Sequence, residues 1–218
     1  MRYKTVVFDL DGTLLDTLED LCDSTNYALA RFGYPARTLA EIRSFVGNGI
    51  GKLIERALPN DTAEAERNAV LAEFKAHYAK NCNNKTKAYE GICDMLNALK
   101  ERGVNIAVVS NKVDSAVKDL CTRYFPGIFK VAVGEKEGVC RKPAPDSVFA
   151  AMEALGAEKG STVYIGDSEV DIETAENADI DMIAVSWGFR DKAALELLGD
   201  ITIASTVKEL ELLLFNQI

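Results

Sequence analysis

Two carboxylates flank a single leucine in Asp9-Leu10-Asp11-Gly12-Thr13, directly after the apolar run Thr5-Val6-Val7-Phe8. Like charges that close, at the end of a buried strand, disfavour each other's ionised form unless a cation lies nearby. Asp and Gly are also ordinary turn formers, so the segment by itself is ambiguous. Three more polar clusters lie far along the chain: Ser110-Asn111, Arg141-Lys142-Pro143, and Asp167 with Asp171 after Tyr164-Ile165-Gly166. Each has a bland reading, as a helix cap, a solvated loop lysine and a second helix cap. Together they make a coherent site. Asp9, Asp11 and Asp167 offer hard oxygen ligands of the kind Mg²⁺ takes. Lys142 adds a compact positive charge, and the Ser110 hydroxyl and loop amides can hold phosphate oxygens, with Thr13 and Asn111 beside them. No serine or cysteine is equipped with a histidine base, since the one histidine, His77, falls in a charged helical stretch. A carboxylate nucleophile without such a base points to an aspartyl-phosphate intermediate.

The elements that must position these groups follow from periodicity. Short runs rich in β-branched residues at Thr5–Phe8, Asn105–Val109, Lys130–Val133, Thr162–Ile165, Met182–Val185 and Ile201–Ile203 read as buried strands. Between most of them lie helical patterns: Ile92, Met95, Leu96 and Leu99 stopped by Gly103, then Val148, Met152 and Leu155 behind Asp146 as cap and ended by Gly156. Thr206 with Glu209 fits a capping box before the last helix. Strands alternating with helices predict an α/β fold, a doubly wound parallel sheet covered on both faces. From about Asp16 to Ala88 the patterns are helical only, including a Thr38/Glu41 capping box. The expected organisation is therefore a core of residues 1–15 plus 86–218 with a helical insertion over 16–85. In such sheets ligands bind at the C-terminal ends of the strands, where all four polar clusters fall.

Composition narrows the partners. A formal charge of −9 argues against nucleic acid and anionic membrane surfaces, which attract basic faces. It also means that a local cation must offset the repulsion of an anionic substrate. No apolar run approaches the roughly 20 residues of a membrane-spanning helix, and the short N-terminal segment does not read as a cleaved signal. Five scattered cysteines without a Cys-x-x-Cys pair read as reduced thiols and, with the other absences, predict a cytoplasmic protein.

Asp9-Leu10-Asp11-Gly12-Thr13-Leu14, Ser110-Asn111-Lys112, Arg141-Lys142-Pro143 and Gly166-Asp167-Ser168-Glu169-Val170-Asp171 resemble, in this order, the four signature motifs of the haloacid dehalogenase-like hydrolase superfamily. The resemblance runs to about residue 190. It implies a Rossmann-like core, a helical cap as the insertion, Asp9 as nucleophile, and Asp11 as general acid and then base. It further implies that Ser110 and Lys142 hold phosphate, that Asp167 completes an Mg²⁺ site with Asp9 and the Asp11 carbonyl, and that Asp171 supports it. Val46-Gly47-Asn48-Gly49, Ile54-Glu55-Arg56-Ala57-Leu58 and Val185-Ser186-Trp187-Gly188-Phe189-Arg190 look like the phosphoglycolate phosphatase branch. That likeness implies 2-phosphoglycolate as the small phosphorylated metabolite, with Asn48 and Lys52 or Arg56 as donors to its carboxylate; the expected assembly is a monomer or homodimer. A sugar-phosphate mutase, a pyrophosphatase of the same fold and a catalytically silent binding scaffold are the alternatives. Retention of Asp11 and Asp167 favours attack on phosphorus over dehalogenation.

Overall fold

The computed structural model describes residues 2–215. Strand β1 (Thr5–Phe8) opens the fold, and β2 (Leu15–Asp16) follows the acidic loop. Helices α1 (Leu18–Arg31), α2 (Leu39–Phe45), α3 (Gly49–Ala57) and α4 (Glu64–Asn81) come next. From β3 (Lys87–Ala88) onward the chain alternates: α5 (Ile92–Glu101), β4 (Asn105–Val113), α6 (Asp114–Tyr124) and β5 (Val131–Glu135). After these come α7 (Asp146–Leu155), β6 (Thr162–Gly166), α8 (Glu169–Ala178) and β7 (Asp181–Val185). Helix α9 (Lys192–Glu196), β8 (Thr202–Ala204) and α10 (Val207–Phe215) close the described chain.

Six strands form one sheet in the order β5-β4-β1-β6-β7-β8. The five strand pairs that build it are all parallel. The winding runs outward from β1 to β5 on one side and from β6 to β8 on the other. The crevice between β1 and β6 is thus the point where strand order reverses, the place where such sheets bind ligands. Side-chain alternation splits the core into two layers. Val6, Phe8, Ile106, Val108, Val163 and Ile165 pack with Met95, Leu96 and Leu99 of α5, Val117 and Leu120 of α6, and Leu210 of α10. Val7, Ala107, Val109 and Tyr164 face the opposite way, onto Val148, Ala151 and Met152 of α7 and Ala175 and Ala178 of α8. Both faces are covered, which is why the strands read as continuous apolar runs.

The chain divides into two compact units. One takes in the chain up to Leu15 and from Ala88 onward; the other is Asp16–Lys87. In the second, α1 packs on α4, with Leu21, Ala28 and Leu29 buried on one and Val70, Phe74 and Tyr78 on the other. The buried Asp20 carboxylate accepts from the Lys85 and Thr86 amides and, at 2.7 Å, from the Thr86 hydroxyl. His77 stacks on Tyr27 at 4.0 Å with its Nδ1 3.0 Å from the Ser24 hydroxyl. The Thr38/Glu41 capping box forms as the pattern predicts. No helix among the described residues is long and apolar enough to cross a membrane, and the five cysteines are free.

Three local expectations are corrected. Asp146 is the first residue of α7 and Pro145 takes the cap position, without a side-chain cap bond. Beyond Val109, where the apolar run ends, β4 continues to Val113 through a register shift that pairs Val113 with Glu135. Ser110 and Asn111 are therefore strand residues, not the cap of α6. At the last helix, Thr206 Oγ1 accepts from the Glu209 amide, but Glu209 reaches back to the Ser205 amide.

Candidate active site

The β1 strand delivers Asp9 to the sheet's C-terminal edge, its amide donating to the Ile165 carbonyl at 2.8 Å. The neighbouring strand β6 ends at Gly166, so Asp167 emerges beside Asp9 across the reversal crevice. Asp9, Asp167 and Asp171 are all buried. One carboxylate oxygen from each lies within 4.8 Å of the others.

Lys142 neutralises part of this cluster. Its Nζ donates at 2.7 Å to both Asp9 Oδ1 and Asp171 Oδ1, and at 2.9 Å to the Tyr164 hydroxyl. A lysine this buried keeps its charge only among such partners. Burial works to lower its pKa, yet Asp171 and Asp9 outweigh it and hold the ammonium well above its ordinary value. The carboxylates move the other way. Burial, with Asp171 and Asp11 adding to it against Lys142, pushes Asp9 up to about 7. Burial, then Asp171 and Asp9, pushes Asp167 well above the carboxylate range. Three carboxylates face one ammonium, an excess that protons or a divalent cation must offset.

The donor set fits a divalent cation. Asp171 is saturated: its Oδ1 accepts from Lys142 and Tyr164, and its Oδ2 from the Asp167 and Ser168 amides and, at 2.6 Å, the Ser168 hydroxyl. It buttresses its neighbours, leaving Asp9 and Asp167 as the carboxylates for a metal. Backbone approaches Asp167 closely on two sides. A Cβ on Gly12, whose φ is +90°, would fall 2.4 Å from Asp167 Oδ2, and one on Gly188 would fall 2.4 Å from the same atom. Only glycine leaves room for a cradle that tight.

Several expected groups take other partners. Asp11 directs its carboxylate to Lys112 Nζ at 2.8 Å, with the Ser110 hydroxyl at 3.4 Å, so its carboxylate is not in the metal cluster. Thr13, expected at phosphate, is fully buried and donates to Asp167 Oδ1 at 3.3 Å. Asn111, expected there too, grips the Lys142 backbone with both ends of its amide, at 2.9 and 3.0 Å. Ser110 stays at the site, its oxygen also accepting from the Lys112 amide. Asn48 and Lys52 lie in the helical unit. Asn48 has φ 61° ahead of α3, and Lys52 Nζ pairs with Glu55 on its own helix at 2.9 Å. Arg56 donates to the carbonyls of Phe45 and Gly47, which makes it a fastener of the glycine turn.

Sequence reasoning missed Lys112, Tyr164 and the backbone of Phe189, whose amide donates to Asp167 Oδ2 at 2.6 Å. Lys112 was visible beside Ser110-Asn111 as the first cation within reach of the acidic loop. Tyr164 reads as a core aromatic, and nothing in its spacing announces where its hydroxyl goes.

The fold that carries this acid–lysine cluster is shared with known proteins. Residues 6–185 match the family described as haloacid dehalogenase-like hydrolase, and the chain belongs to that family. A phosphoglycolate phosphatase of Mesorhizobium japonicum is 34% identical over 204 residues, covering 90% of this chain and 88% of that protein. One from Cereibacter sphaeroides is 36% identical over 196 residues, covering 88% and 89%. The crystal structure of a candidate phosphoglycolate phosphatase from Lactobacillus delbrueckii subsp. bulgaricus superposes with a TM-score of 0.94 at 40% identity, covering 98% of each chain.

Proposed function

We propose that this chain, a phosphoric monoester hydrolase by its family and relatives, is an Mg²⁺-dependent phosphatase of 2-phosphoglycolate that works through phosphorylated Asp9. The buried cluster of Asp9, Lys142, Asp171 and Asp167 is the observation that carries the reading. The substrate is inferred from the relatives named above. The helical unit Asp16–Lys87 is assigned the role of cap, selecting the leaving group.

Lys142 fixes the Asp9 carboxylate through Oδ1 and presents positive charge to the phosphoryl oxygens. A carboxylate oxygen of Asp9 attacks phosphorus, and the ester P–O bond breaks on the opposite side. Asp11, near Ser110 and Lys112, gives its proton to the departing glycolate oxygen. The same carboxylate then takes a proton from water, whose oxygen attacks phosphorus and returns Asp9 with inorganic phosphate. Asp9 and Asp167, with the Asp11 carbonyl that the family resemblance adds, would hold Mg²⁺, which supplies charge neutralisation between these carboxylates and the phosphoryl oxygens. Asn111 and Asp171 keep Lys142 in place.

Phosphate release tests the reading on 2-phosphoglycolate, hexose phosphates and pyrophosphate, with Mg²⁺ and with chelator. The expected result is metal-dependent release with 2-phosphoglycolate preferred. Turnover that survives chelation overturns the metal, and preference for another ester overturns the substrate.

A further inference from the structure

The segment Trp187-Gly188-Phe189-Arg190, which follows β7, has no role in the chemistry above, yet it closes around the acidic loops. Trp187 Nε1 donates to the Thr13 carbonyl at 3.1 Å. Gly188 lies so close that an added Cβ would fall 2.2 Å from the Gly12 carbonyl oxygen. The Phe189 amide holds Asp167 Oδ2. Arg190 then makes a two-bond fork with Glu169, Nε to Oε2 at 2.8 Å and Nη2 to Oε1 at 2.9 Å. Both side chains are largely buried, at 17% and 28% exposure, and planar bidentate pairs of this kind set geometry as well as energy. Glu169 sits two residues beyond Asp167 and opens α8. The fork therefore ties the loop that carries Asp167 to the loop that grips it.

We propose that Glu169 and Arg190 are positioning residues that hold Asp167 in its cation-binding pose, so that the pair sets the protein's affinity for Mg²⁺. The inference rests on the metal site proposed above. It follows from the geometry of the clamp: the fork anchors Arg190, the chain neighbour of Phe189, whose amide holds Asp167 Oδ2. Partners one shell out from a metal ligand commonly alter affinity about 10-fold or more.

Calorimetric titration of metal-stripped protein with MgCl₂ tests this on wild type, Glu169→Gln, Arg190→Gln and the double variant. Circular dichroism and Tm in chelator report whether each is folded. Each single variant is expected to bind Mg²⁺ roughly 10-fold more weakly. The double variant should lose no more than either, because both singles open the same fork. Arg190→Lys keeps the charge without the fork and should fall between, which gives a reading even if a glutamine variant does not fold. Unchanged affinity in the folded variants, or losses that multiply in the double variant, would overturn the clamp alone. A wild type that takes up no Mg²⁺ would overturn the metal reading and the clamp together.

Discussion

At the scale of single residues the site turns on Lys142, whose ammonium bonds both Asp9 and Asp171. Removing one partner from a buried ionic cluster strands the others, at a cost of about 3–5 kcal/mol. Lys142→Met should lose stability of that order in urea denaturation at pH 8, and less at pH 5.5, where protonation relieves the stranded acids. The sign for the wild type follows from Asp9, whose pKa rises from 3.8 unfolded to about 7 folded. Between those values the folded state binds the extra proton, so stability of the metal-free protein falls as pH rises through that window. Tm measured in chelator should drop from pH 5 to pH 8, Asp9→Asn should flatten the drop, and Mg²⁺ should raise Tm most at the alkaline end. A slope that Asp9→Asn leaves unchanged would contradict the assignment. At Asp11, replacement by Asn should lower kcat on an alkyl phosphate by roughly 10²–10⁴-fold. An aryl phosphate, whose leaving group needs no proton, should still phosphorylate the enzyme.

The elements were legible where periodicity alone decides them. Val6, Phe8, Val163 and Ile165 face one layer and Val7 and Tyr164 the other, and all read as one apolar run because the sheet is covered on both faces. Legibility stopped where backbone pairing decides. The end of β4 is set by its ladder with β5, because the polar Ser110-Asn111-Lys112 interrupts the apolar run before Val113. That extension carries Ser110, Asn111 and Lys112, and its support is Gly134. A Cβ there would meet Asp114 Cα at 2.4 Å and the Lys112 carbonyl oxygen at 2.6 Å, both backbone atoms that cannot step aside. Gly134→Ala should destabilise the protein by about 1–3 kcal/mol. Because the displaced backbone holds Lys112, kcat should fall as well, and thermal denaturation with steady-state assays checks both. Full activity in a stable Gly134→Ala protein would show that the extension tolerates displacement.

For the whole molecule, a net charge of −9 and the anionic substrate proposed above are compatible if attraction is local, and Lys142 and Lys112 place two ammonium groups among the acidic loops. The acidic corner was readable because Asp9 and Asp167 end adjacent strands, and residue type plus strand position suffices to bring them together. The pairings inside it were not. Which cation Asp11 meets, where the Tyr164 hydroxyl points and why Arg190 faces Glu169 depend on rotamers and loop paths that spacing does not encode. The fold thus explains why carboxylates gather, and side-chain geometry separates Asp9 and Asp167 from the saturated Asp171. The central claim is that Asp9 itself carries the phosphoryl group between the two displacements. Acid quenching during turnover of 2-phosphoglycolate with Mg²⁺, followed by peptide mass spectrometry, measures this directly. The account predicts phosphorylation on the peptide holding Asp9, at that residue, and none in Asp9→Asn, which should also release no phosphate. A phosphorylated residue elsewhere, or undiminished turnover by Asp9→Asn, would contradict it.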